Sequence, residues 1–329
     1  MSESVKMNAL QAVNAALAEA MAQDPKVIVF GEDVADREGG GVAGATAGLS
    51  TRFGDDRVKS TPISEQAIIG AAIGAALGGY RPVAEIMLMN FTAVAMDMIF
   101  NHAAKLRFMS GGQSQVPITI RMLTGAGWQT AGQHADHLEG WFAHAAGLKV
   151  VAPSNPADYK GLLLSCIQDP DPCIFIESAG TLFVPGQVAT DQGPIPLGKA
   201  KVVQEGSDVT ILSWSSMLLR CQQALAGIAE AGISAELIDL RTISPWDKQT
   251  VRESVAKTGR LVIVHEAMRS FGPGAEIAAT VNEDLFGKLK APVRRLGAPY
   301  SPVPFSKPLE DAFLVSPDTI VATVKALMG

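Results

Sequence analysis

The sequence predicts an α/β protein built from two parallel-sheet domains joined by a linker. Short apolar, β-branched runs alternate with longer helical stretches along the whole chain, the pattern of a parallel sheet covered by helices. At 329 residues the chain exceeds the size at which a single core usually stops growing. One stretch, Phe183 to Gly198 (FVPGQVATDQGPIPLG), holds three prolines and three glycines without periodicity and marks the joint. The expected division is a first domain over 1–185, a linker over 186–199 and a second domain over 200–329.

In the first domain the strands are expected at Lys26 to Phe30, Arg81 to Leu88, Val116 to Met122, Leu148 to Ala152 and Cys173 to Glu177. In the second they are expected at Val209 to Trp214, Ala235 to Asp239, Leu261 to His265 and Val293 to Leu296. Helices such as Met217 to Ala231 and Ala275 to Leu289 fall between them. No internal repeat or low-complexity tract interrupts this order.

Apolar residues make up 47% of the chain and its mean hydropathy is +0.20, so another chain is expected to cover part of its apolar surface. The longest apolar stretch, Ala67 to Gly79, is too short to span a bilayer. The N-terminal MSESVKMNAL lacks the succession of a signal peptide, so a cytoplasmic protein is expected. Cys166, Cys173 and Cys221 fit neither a disulfide framework nor metal-ligand spacing and read as buried free thiols. A net charge of −6 without a basic run excludes the electrostatic footprint of nucleic-acid binding.

In SEQAIIGAAIGAALGG, Gly70, Gly74 and Gly78 recur every fourth residue and line one helical face. Each costs about 0.5–1 kcal/mol against alanine, so the ridge should permit a close backbone approach, either inside the domain or to another subunit. Gly39, Gly41 and Gly44 form a nominal dinucleotide fingerprint, but acidic and polar residues separate it from the preceding strand, which reads as a flexible surface loop. Glu65 opens the glycine-ridged helix, where it either complements the helix dipole or serves as a desolvated catalytic acid. His134, His137 and His144 share one segment. His137 and His144 are expected on a helix as surface or packing residues, whereas His134 precedes that helix beside a glycine-rich loop, where it can reach a ligand.

GEDV (Gly31 to Val34), TPISE (Thr61 to Glu65), RPVAEI (Arg81 to Ile86), AAKLRFMSGGQ (Ala103 to Gln113), GLKVVAPSNPADYKGLL (Gly147 to Leu163), EGSDVTIL (Glu205 to Leu212), IDLRTISPWD (Ile238 to Asp247) and KTGRLVIVHEA (Lys257 to Ala267) carry a resemblance. Together these ordered blocks resemble the β subunit of the thiamine-diphosphate-dependent 2-oxo acid dehydrogenases. The resemblance implies a transketolase-like pyrimidine-binding domain followed by a transketolase C-terminal domain. It implies that Glu65 hydrogen-bonds the cofactor's aminopyrimidine ring, that Phe91 packs near that ring, and that His134 lies near its reacting end. It also implies potassium bound through Ile118, Cys166, Ile167, Asp169 and Asp171. The family's diphosphate–magnesium motif is absent, so an α subunit should hold magnesium, in a heterotetramer of two α and two β chains. The implied reaction is oxidative decarboxylation of a 2-oxo acid, with acyl transfer to a lipoyl-bearing acyltransferase.

Relatives usually carry Ser-Gln where this chain has Ala135 and Asp136, and SAGTLF (Ser178 to Phe183) also departs from them. These changes leave cleavage of acetoin or a related ketol open beside the 2-oxo acid reaction. SCIQDPDPCIF and SPWD lean towards the branched-chain members. A reading of another class, a non-catalytic assembly subunit in which Glu65 only caps its helix, is opposed by the retention of Glu65 and His134.

Overall fold

The structure, a computed structural model, describes residues 3–329. The chain opens with β1 (Ser4–Asn8) and α1 (Ala9–Gln23), joined by a capping box in which Asn8 and Gln11 each accept the other's backbone N–H. Then follow β2 (Val27–Glu32), α2 (Leu49–Phe53), β3 (Val58–Thr61), α3 (Glu65–Leu77), β4 (Arg81–Leu88), α4 (Thr92–Asp97) and α5 (Leu106–Met109). β5 (Thr119–Thr124), α6 (Glu139–Ala143), β6 (Lys149–Val151), α7 (Pro156–Gln168), β7 (Cys173–Ser178) and β8 (Pro185–Ala189) complete the N-terminal half. The C-terminal half runs through β9 (Lys201–Gln204), β10 (Val209–Ser213), α8 (Ser216–Glu230), β11 (Ala235–Asp239), β12 (Thr242–Ser244), α9 (Lys248–Thr258) and β13 (Leu261–Met268). It ends with α10 (Pro273–Leu285), β14 (Arg294–Ala298), α11 (Lys307–Phe313) and α12 (Pro317–Met328).

The larger sheet has the order β12-β6-β7-β5-β4-β2-β3 and is parallel apart from β12. The smaller has the order β14-β13-β10-β11-β9 and is parallel apart from β9. Every residue of β5, β7 and β10 is buried, because helices cover both faces. This is the two-domain α/β architecture the sequence predicts.

β4 and β11 span the expected residues, whereas β13 runs three residues past His265 to Met268 and β5 begins at Thr119, not Val116. Five strands were not expected: β1, β3 and β8 in the N-terminal half, and β9 and β12 in the C-terminal half. Within the aperiodic stretch, β8 pairs antiparallel with β1, Val5 opposite Val188. Only Val188 of its five residues is buried, too weak an alternation to show among prolines and glycines. β12, from the C-terminal half, adds an antiparallel edge to the larger sheet through Thr242 and Ser244. The two halves also share one apolar core, in which Met89 and Phe142 join Trp214 and Ile263. The three cysteines are free and buried. No helix among the described residues is long and apolar enough to cross a membrane.

Candidate active site

Glu65, Phe91 and His134 all follow the carboxyl ends of parallel strands in the larger sheet, those of β3, β4 and β5. Ligands of open α/β sheets bind at that edge, where loops and helix N-termini converge. Glu65 stands in the first turn of α3, is 8% exposed, and accepts no hydrogen bond from the described residues. A carboxylate at a largely buried position, without an internal donor, is free to accept from a ligand.

Beside it the strands gather further charge. Burial raises the carboxyl of Glu32, at the end of β2, above its usual range, and the charges of Glu65, Asp33 and Glu85 add to the effect. In the next strands Arg121 reaches Glu85 Oε2 at 2.8 Å and Glu177 Oε1 at 2.7 Å, a fully buried ion triad across β4, β5 and β7. Burial opposes its charge, but the two carboxylates hold Arg121 ionised. The loop of Gly39 to Gly44, expected to be flexible, is tied to the chain around it: Gly41 N donates to Asp33 O and Gly40 N to Ala35 O. Asn14 Nδ2 donates to the carbonyls of Ala45 and Ala47, and Thr46 Oγ1 to that of Val34. A Cβ on Gly41 would lie 2.9 Å from Glu85 Oε1, so its glycine allows the loop to close over the triad.

Phe91 and His134 meet edge to face, with ring centroids 5.5 Å apart. Asn90 fixes the backbone on both sides of this contact: its Nδ2 donates to Gly132 O at 3.2 Å and to Asp136 Oδ2 at 2.9 Å, and its Oδ1 accepts from Asp136 N. The carboxylate at Asp136 is thus partnered by an amide. A cleft of about 1110 Å³ opens beside Asn90 and Asp136, lined also by Trp141, His144, Phe271 and Tyr300. The structure unites Phe91 with His134, and Glu65 with Glu32 and Glu85, as two neighbouring groups along one sheet edge.

His137 and His144 both lie outside α6, which corrects the expected helical placement. His144 is exposed, but the side chain of His137 is 3% exposed and lies between Glu139 Oε2 and Glu266 Oε2, each 3.3 Å away. Burial opposes its charge, yet the carboxylates of Glu266 and Glu139 raise its pKa to about 10. Sequence reasoning missed this pair because Glu266 lies on β13 and no local spacing connects it to His137. It also missed Asn90, whose only signal is its place immediately before Phe91.

Around the expected potassium ligands, Cys173 N donates to Ile118 O, Asp169 N to Cys166 O, and Asp171 N to Asp169 Oδ1. Lys149 Nζ lies 2.6 Å from both Asp169 oxygens, Arg107 pairs with Asp171, and Arg81 donates to Ile167 O. The donor set is oxygen only, which suits a hard monovalent cation. Each carbonyl keeps a second lone pair for it.

Residues 5–183 match the family described as "Transketolase, pyrimidine binding domain", and residues 198–320 that described as "Transketolase, C-terminal domain". The chain is 44% identical over 331 residues to the acetoin:2,6-dichlorophenolindophenol oxidoreductase subunit beta of Cupriavidus necator, covering 98% of each chain. It is 47% identical over 306 residues to the mitochondrial 2-oxoisovalerate dehydrogenase subunit beta of Chaetomium thermophilum, covering 91% of this chain and 64% of that one. Among solved structures, a split-gene transketolase described as an inactive β4 tetramer superposes with a TM-score of 0.81 over 98% of each chain; at 21% identity it shows the fold alone.

Proposed function

The chain belongs to the transketolase-like family of β subunits of the thiamine-diphosphate-dependent pyruvate, branched-chain 2-oxo acid and acetoin dehydrogenases, and we propose that it supplies the pyrimidine-side half of a composite site that oxidatively decarboxylates a 2-oxo acid. The observation that carries this is Glu65, a residue only 8% exposed at the sheet edge, whose carboxylate has no donor among the described residues. When bound, thiamine diphosphate supplies the electron sink that accepts the pair released with carbon dioxide.

In this reading Glu65 shares a proton between its carboxyl oxygen and a ring nitrogen of the pyrimidine, and the apolar flank of α3 excludes water from that contact. Phe91 gives the ring an apolar wall and sets the orientation of His134 through their edge contact. His134 is the residue placed to pass a proton to or from the substrate. An α subunit holds magnesium and the diphosphate, in a heterotetramer of two α and two β chains, and the acyl group leaves on a lipoyl-bearing acyltransferase. Potassium is a structural ion on the carbonyls of Ile118, Cys166 and Ile167 beside Asp169 and Asp171. A cytoplasmic location agrees with three free, buried thiols.

Cleavage of acetoin is the second reading, favoured by full-length similarity to an acetoin-oxidising β subunit. Calorimetric titration of thiamine diphosphate with magnesium, into this chain alone and then into the chain co-expressed with its α partner, tests the composite site. Binding in the mixture only supports it, and binding by the chain alone overturns it. Turnover of 2-oxo acids against acetoin by the mixture then decides the substrate.

A further inference from the structure

His134 belongs to a loop that leaves the larger sheet at Thr124 and ends at Leu138, where α6 begins, yet much of what holds this loop comes from the C-terminal half. Glu310, on α11, is wholly buried, and its Oε1 accepts from Gly127 N at 2.7 Å and from Gln129 N at 3.0 Å. Glu266, on β13, accepts from Ala126 N at 2.7 Å through Oε1, and its Oε2 lies 3.3 Å from His137 Nε2 and also accepts from Ser216 Oγ. One carboxylate therefore binds both ends of the loop. In the middle, a Cβ on Gly132 would stand 3.0 Å from Pro302 Cβ, so the loop rests directly on the segment before α11.

The conformation being held is not one the loop would keep unaided. Gln129 and Ala131 have φ of 58° and 63°, in the left-handed region that side chains disfavour. Charge-assisted bonds from a buried carboxylate to the flanking amides oppose relaxation of that backbone. From the N-terminal half, Asn90 holds Gly132 O and Asp136, and Thr124 Oγ1 holds Asp136 O at 2.7 Å.

We propose that Glu310 and Glu266 are positioning residues: two carboxylates of the C-terminal domain that clamp the loop of residues 125–137 and thereby set His134 against Phe91. The inference rests on the reading that His134 acts on the substrate. It gives the C-terminal domain a part in the chemistry without contact with substrate or cofactor.

The test is a double-mutant cycle between Glu310→Gln and His134→Ala in the assembled α/β enzyme, with hydrogen exchange read in parallel. Glu310→Gln keeps an acceptor oxygen but removes the charge. It is expected to speed exchange of the amides of 126–134 while β4 and β5 stay protected, and to leave thiamine diphosphate affinity unchanged. It should lower kcat by about 10-fold or more, since a misplacement of about 1 Å can cost on the order of 10²-fold. In the His134→Ala background the same substitution should lower kcat no further. Gly132→Ala, which displaces the loop from Pro302 and removes no buried polar group, should repeat the pattern even if Glu310→Gln folds poorly. Unchanged exchange in 126–134, or full additivity with His134→Ala, would overturn the proposal. Normal turnover of His134→Ala alone, with faster exchange in Glu310→Gln, would instead overturn the role of His134 and leave the clamp standing.

Discussion

His137 Nε2 and Glu266 Oε2 lie 3.3 Å apart, with side chains only 3% and 4% exposed and with the two residues drawn from different halves of the chain. The contact ties folding stability to pH. The folded pKa of His137, about 10, stands above its ordinary 6.5, so the stability it contributes is complete below pH 6.5 and is lost as pH rises through 10. Glu139 and Glu266 are both depressed below 4.5, burial resisting and the His137 charge prevailing, so their contribution is present above that pH and lost in acid. Thermal melts of His137→Gln should show the largest deficit between the ordinary carboxylate value of 4.5 and the ordinary imidazole value of 6.5, shrinking steadily above 6.5 and gone above about 10. A deficit that stays constant with pH would mean that the histidine acts by packing alone.

Glu65→Gln should keep the fold, because the carboxylate takes no part in hydrogen bonds within the described chain. In the assembled enzyme its turnover should fall by about 10²-fold or more, the range of a lost general acid–base group. Near-normal turnover would leave Glu65 as a helix-end charge and the chain as an assembly subunit.

Arg121→Met should be among the most destabilising single changes, about 3–5 kcal/mol, since it strands Glu85 and Glu177 as unpaired buried charges. Adding Glu177→Gln should recover part of the loss. Denaturant titration measures both, and an equal loss in the single and double variants would show that the triad is not coupled.

On α3 a Cβ at Gly74 would meet no atom within 4 Å, and Ile63 and Leu77 stand 82% and 51% exposed. The glycine ridge is therefore not filled by this chain's own packing at that point. Gly74→Leu should leave the melting temperature of the isolated chain nearly unchanged and weaken assembly with the α subunit, or of two β chains, by sedimentation analysis. Undiminished assembly would remove the ridge from the interface.

Exchanging sodium for potassium chloride at equal ionic strength should raise the melting temperature by a few degrees if the carbonyls of Ile118, Cys166 and Ile167 hold the ion, because a ligand of the folded state alone stabilises it by mass action. Identical melts in the two salts would mean that the cations already there, Arg81 at Ile167 O and Lys149 at the Asp169 carboxylate, leave no place for the ion.

Much of the fold was legible along the chain because its signals are local. β4 and β11 are apolar runs whose ends are marked by turn residues. Glu65, Phe91 and His134 were legible only through a resemblance of ordered blocks, since residue type and spacing alone gave each a structural reading as good as the catalytic one.

The sequence by itself determined the alternation of strands and helices, the two-domain class and the identity of the family, because periodicity and ordered motifs are properties of neighbours. The tertiary structure alone decided that β12 crosses to the first sheet, that Arg121 sits between Glu85 and Glu177, and that Glu266 and Glu310 hold the loop of His134. These contacts join residues far apart in the chain: Gly127 and Glu310 are separated by 183 positions. Their energies come from burial and charge pairing that exist only once the two sheets have packed, and no local pattern encodes them.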